Sequence, residues 1–178
     1  MGCDIHGFVE VRDVRPETLS QYSNGYNPTW EVIISAGDFL GRNYNLFGVL
    51  AGVRWYDSSW DWEPIAMLRG LPDDSNWRIK DDNRYYDKNE GKFIPNPDMH
   101  SQTWMLLSEI EAFDWNKKIE TAIWNPEFRN DETVEPIIKK QVSLYDYCDD
   151  FKTIRALMET LVSIYGDENV RLVIWFDN

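Results

Sequence analysis

The segment MGCDIHGFVEVR places a thiol, a carboxylate and an imidazole at positions 3, 4 and 6 of a chain that has only two histidines. Strand-like alternation puts Cys3, Ile5, Gly7, Val9 and Val11 on one side and Asp4, His6, Phe8, Glu10 and Arg12 on the other. Asp4 and His6 then share a face, so the carboxylate can orient the imidazole for proton transfer near neutral pH. Cys3 points away from His6; the two make no nucleophile and base dyad, and Cys3 is expected to pack behind the strand. If the second histidine, His100, comes to the facing wall, the two share acid and base roles in a phosphodiester or acyl transfer. Arg42, Arg54 and Arg69 are the cations available to hold an anion against that pair.

Metal chemistry fits the spacing less well. DIHG followed by GDFLGR has the wording of the metal-binding blocks of calcineurin-like phosphoesterases, but there the Asp-x-His block ends an apolar strand, whereas here the strand comes afterwards, and no Gly-Asn-His-Glu block follows. Cys3, His6, His100 and Cys148 lack the paired short spacing of a zinc site. A magnesium or manganese ion on Asp4, Glu10 and loop carboxylates stays open, because hard cations need only oxygens. The leading reading requires no cofactor, and no metal ligand is assigned.

These residues need elements to position them. WEVIISAG reads as a second strand after a loop rich in Pro, Ser, Asn and Gly. In RNYNLFGVLAGVR, Leu46, Phe47, Leu50 and Val53 recur at helical spacing behind Asn43, an expected N-cap. From Trp55 to Pro97 no periodicity is sustained, which predicts an irregular, aromatic-rich insertion or lid over 55–97. Ser108 and Glu111 have capping-box spacing ahead of Ile110 and Phe113, so His100 and Ser101 fall on the approach to a helix. Asp149 or Asp150 is expected to cap a helix bearing Phe151, Ile154, Leu157, Met158, Leu161 and Ile164 on one face, closed by Gly166. NVRLVIWFDN follows as an interior strand. First and last strands this strongly patterned are expected side by side, giving an α+β fold: a mostly antiparallel sheet with helices packed on one side.

At 178 residues and 43% hydrophobic composition the chain has the material for one domain spanning 1–178. A formal net charge of −13 argues against a nucleic-acid duplex and against an anionic membrane as partner, since its field repels both. Two cysteines build no disulfide framework, and nothing resembles a signal peptide or spanning helix; a cytoplasmic location, in a host cytosol, is expected. Gly2 is followed by His6 where a myristoylation signal wants Ser or Thr, so lipidation is set aside. Aromatic residues make up 15% of the chain, enough to wall a pocket that stacks on a planar ligand as well as to fill a core.

MGCDIH, RNYNLFGVLAGVR, RGLPDDS and HSQTWMLLSEI, in that order, resemble the blocks of a family of small, largely uncharacterised phage and prophage proteins. Position by position, the resemblance marks Cys3, Asp4, His6, Arg42, Asn43, Tyr44, Arg54, Arg69, Asp74, His100 and Ser101. Polar residues gathered in short blocks with variable filler suit a site better than a packing core. In outline the protein also resembles phage proteins that defeat nucleotide-signalling immunity by sequestering or cleaving the messenger. The expectation is a phage-type protein that binds and hydrolyses a small anionic, nucleotide-like ligand. His6, Asp4 and His100 would be catalytic; Arg42, Arg54 and Arg69, with Asn43, Tyr44, Asp74 and Ser101, would bind ligand, and Tyr or Trp rings would stack on the base. Two other functions compete: a non-catalytic sponge for such a nucleotide, and a protein-protein inhibitor of a host enzyme acting through Trp60, Trp62 or Trp77. Whether the chain forms a homo-oligomer is left open.

Overall fold

The computed structural model describes residues 2–20, 28–54, 62–124 and 137–177. In chain order the elements are β1 (Ile5–Arg12), α1 (Pro16–Leu19), β2 (Trp30–Ser35), α2 (Tyr44–Ala51), α3 (Trp77–Asp82), β3 (Arg84–Asp87), β4 (Lys92–Pro95) and β5 (His100–Leu106). There follow α4 (Leu107–Ala112), β6 (Lys118–Trp124), β7 (Ile137–Ser143), α5 (Leu144–Tyr147), α6 (Phe151–Tyr165) and β8 (Val170–Phe176). They fall into two compact units, Met1–Phe113 with Asp150–Asn178, and Asp114–Asp149, where the sequence suggests a single domain.

The first unit is α+β, built on a four-stranded sheet of order β2-β1-β8-β5 in which every neighbouring pair is antiparallel. The first and last strands are indeed partners, with Ile5 opposite Phe176 and Val11 opposite Val170. Residues opposite one another share a face, so Ile5, Val9, Leu172, Ile174 and Phe176 form one apolar side. Helix α6 packs there through Phe151, Ile154, Met158 and Leu161, and Phe47 of α2 meets Phe176 edge-on at 5.1 Å. Gly7 carries no side chain for a physical reason: a Cβ there would lie 2.4 Å from the Val173 carbonyl oxygen. The other face holds His6, Phe8, Glu10, Arg171, Val173 and Trp175, and α3 covers its middle with the fully buried Ile79 against Phe8, Val173 and Trp175.

Local signals account for much of this. Asn43 caps α2 by accepting a hydrogen bond from the Leu46 amide, and Gly52 ends it at φ 68°, in the left-handed region. Gly166 closes α6 as expected, while Asp150 stands at its N-cap position without a side-chain capping bond. The capping box falls two residues earlier than the spacing suggests: Glu109 accepts from the Leu106 amide, and Ser108 lies inside α4, bonded to Asp167. The stretch 62–97 is also more regular than expected. Asn76 caps α3, and β3 and β4 pair in a hairpin. Trp62 is buried there and Trp77 is 68% exposed; Trp60 lies outside the described residues.

In the second unit β6 and β7 pair antiparallel from Lys118 opposite Ser143 to Trp124 opposite Ile137. Helix α5 turns back so that the Leu144 and Tyr145 amides reach the carbonyls of Lys117 and Trp115. Among the described residues no helix is long and apolar enough to cross a membrane.

Candidate functional site

The His6 end of β1 opens onto a pocket of about 370 Å³ on the α3 side of the sheet. Its floor is His6, Phe8 and Trp175; the end of β2 supplies Ser35 and the loop after it Gly37, Asp38, Leu40, Gly41 and Arg42; Asp82, the last residue of α3, closes another side. The loop lies close to the strand: a Cβ on Gly37 would stand 3.1 Å from the Ile5 carbonyl oxygen, and the Ala36 amide donates to the Gly7 carbonyl at 2.8 Å. The DIHG and GDFLGR blocks, some thirty positions apart, thus face the same space.

His6 is oriented, but not by Asp4. Its Nε2 lies 3.1 Å from Asp177 Oδ2, and its ring stacks on Trp175 with centroids 6.1 Å apart and planes 16° off parallel. Asp177 Oδ1 also accepts from the Asp4 amide at 2.9 Å. Burial works against its charge, yet the Asp4 amide and the His6 ring together hold the Asp177 carboxyl below its ordinary value. The Asp4 side chain turns instead to Arg42, in a two-bond fork with both N···O distances 2.7 Å, which holds the Asp4 carboxyl low and the guanidinium high. The sequence predicts the right kind of pair at the right histidine and names the wrong carboxylate.

The remaining expected site residues scatter. His100 sits opposite Phe176 in the β5–β8 ladder, on the face away from His6, with its ring stacked on Phe176 at 6.2 Å and its Nδ1 2.9 Å from Ser101 Oγ. It is not on the facing wall, and the two-histidine arrangement is corrected accordingly. Ser101 adopts φ 55° at a register shift in β5, with its hydroxyl against the His100 ring. Asn43 is spent on the α2 cap. The Tyr44 hydroxyl accepts from the Cys3 amide, and Arg54 lies over the Tyr44 ring at 6.0 Å. Arg69 is paired with Glu109 through two bonds and lies over Trp104. None of these six lines the pocket.

Asp74 and Glu10 belong to a structural network. Arg171 Nε donates to Glu10 Oε2 and Nη1 to Asp74 Oδ1, each at 2.9 Å, while its guanidinium lies 3.7 Å from the Trp30 ring centroid. Trp30 Nε1 donates to Asp74, and the Asn76 amide to Glu10. Burial pushes the Glu10 carboxyl up despite these partners. Desolvation also opposes the Asp74 charge, but its bonds to Arg171 and Trp30 prevail and its carboxyl is held low. Asp4 and Glu10 are engaged by different guanidinium groups, Arg42 and Arg171. Among the described residues no three His, Cys, Asp or Glu side chains gather as metal ligands.

No family model, curated protein or solved structure matches the chain. The pocket therefore has to be read from its own chemistry. Apart from Asp38, which falls in GDFLGR, the lining or supporting residues that sequence spacing does not single out are Asp82, Asp177 and Trp175. Asp177 alone had a signal: if β1 and β8 are antiparallel partners, the residue after Phe176 must fall near the start of β1.

Proposed function

We propose that this pocket binds a small nucleotide-like ligand and hydrolyses a phosphate ester in it, with His6 as the proton carrier. The observation that supports this is the His6–Asp177 pair at the wall of a pocket that Arg42 also lines. With the Nε2 proton donated to Asp177, Nδ1 is left with a lone pair and, among the described residues, no hydrogen bond. His6 takes a proton from water at Nδ1 as the new P–O bond forms, and returns it to the leaving oxygen as the ester bond breaks. Asp177 holds the ring and compensates the imidazolium, and Arg42 meets the phosphate. The resemblance to phage proteins makes the messengers of nucleotide-signalling immunity the first ligands to try.

One observation favours capture without turnover. Only one of the two histidines reaches the pocket, and its one arginine is already engaged by Asp4, an arrangement that suits a sponge. Mass spectrometry separates the two. The protein is incubated with cyclic mononucleotides as well as cyclic dinucleotides and ADP-ribose derivatives, with and without magnesium, then heat-denatured and its small molecules analysed. New products are expected; an intact ligand released only on heating would replace hydrolysis with sequestration.

A further inference from the structure

The charges around the pocket are lopsided. Asp4, Asp38 and Asp82 line it, Asp177 stands against His6, and Arg42 is the one arginine or lysine on its wall among the described residues. Asp4 and Arg42 satisfy each other. The carboxyls of Asp38 and Asp82 form no hydrogen bond or ion pair among the described residues, so both remain available as acceptors. Desolvation at the pocket wall pushes the Asp82 carboxyl up, the sign of a group short of partners, although Arg78 and His6 pull it the other way. Trp175 lines the same space but is only 2% exposed, so the polar groups a ligand can reach there are the carboxyls and Arg42.

We propose that the pocket selects a nucleoside carrying no more than one phosphate, whose sugar hydroxyls or amino groups donate to Asp38 and Asp82 and whose single phosphate meets Arg42. This rests on the reading of the pocket as the ligand site and narrows its substrate class. A polyphosphate brings three or four negative charges to a wall with two unpaired carboxylates and one shared guanidinium, and is repelled. A vicinal diol or an exocyclic amine brings the donors those carboxylates lack.

Calorimetric titration with adenosine, AMP, 3′,5′-cyclic AMP, ADP and ATP tests the selection at fixed ionic strength. The expected order places AMP and cyclic AMP tightest and ATP at least about ten-fold weaker, a difference of about 1.4 kcal/mol. The Asp38→Asn, Asp82→Asn double variant removes two charges while leaving carbonyl acceptors, and should close most of that gap by strengthening ATP binding. ATP binding as tightly as AMP in the wild type, or a gap unchanged in the double variant, overturns the selection. Cyclic AMP bound but recovered intact leaves the selection standing and removes hydrolysis; no heat with any of the five compounds removes both.

Discussion

The two ends of one face of β1 carry the same kinds of residue and do opposite things. At the Glu10 end a carboxylate is sealed from water and paired with Arg171, whose side chain is 5% exposed. At the His6 end a carboxylate and an imidazole meet at 3.1 Å with about a third of each side chain open to the pocket. The difference lies in what covers the sheet. Ile79 and the start of α3 close over Glu10 and Phe8, while beyond Phe8 only the turn of 36–42 and the end of α3 stand at the rim. An ion pair thus becomes a structural tie or a chemical tool according to its access to water, since burial makes a broken pair costly and exposure leaves a proton carrier free to exchange.

The sharpest way to break this contrast is in stability. Arg171→Ala leaves Glu10 buried without its cation and should cost about 3–5 kcal/mol in denaturant unfolding. His6→Ala, at the open end, should leave the unfolding midpoint near wild type while abolishing any turnover. Gly7→Ala forces a methyl against the Val173 carbonyl in the strand pair that joins both ends and should cost about 1–3 kcal/mol by the same measurement.

The smallest effect is in pH dependence, and its sign differs between the ends. The Asp177 carboxyl is held below its ordinary 3.8, so its contribution is present above that pH and is lost as pH falls through the folded value. The stability gap between wild type and Asp177→Asn should therefore shrink on acidification below 3.8. Glu10 is pushed above its ordinary 4.5, so its contribution is greatest below 4.5 and declines as pH rises through the folded value. Glu10→Gln should gain on wild type over that rise. Urea unfolding across pH checks both, and gaps that move in the same direction would erase the contrast.

Much of the frame was legible in the sequence because its signals are local. The α6 stripe from Phe151 to Leu161, the Asn43 cap and the alternation along β1 each depend on residues within a few positions of one another and appear as expected, although Ile164, placed on the same stripe, is 47% exposed. The site was legible only in part. His6 and Arg42 were singled out, but Asp177 lies 171 positions from His6 and Arg171 lies 161 from Glu10, and such pairs are set by strand register. His100 shows the same limit. It was expected on the approach to a helix, with a catalytic role if it came to the wall facing His6, but the face it takes follows from the ladder with β8, where it lies opposite Phe176, and from the shift between His100 and Thr103. Asp74 was marked as a ligand group by the family resemblance, and nothing in RGLPDDS announces its partners Trp30 and Arg171.

The most direct test sets the two histidines against each other. Purified wild type, His6→Ala and His100→Ala would each be incubated with 3′,5′-cyclic AMP, and products counted by mass spectrometry after heat denaturation. Product formed by wild type and His100→Ala but reduced at least about 100-fold in His6→Ala is the predicted result. Loss in His100→Ala with His6→Ala unaffected would contradict the account, because the working end of the molecule would then lie on the other face of the sheet.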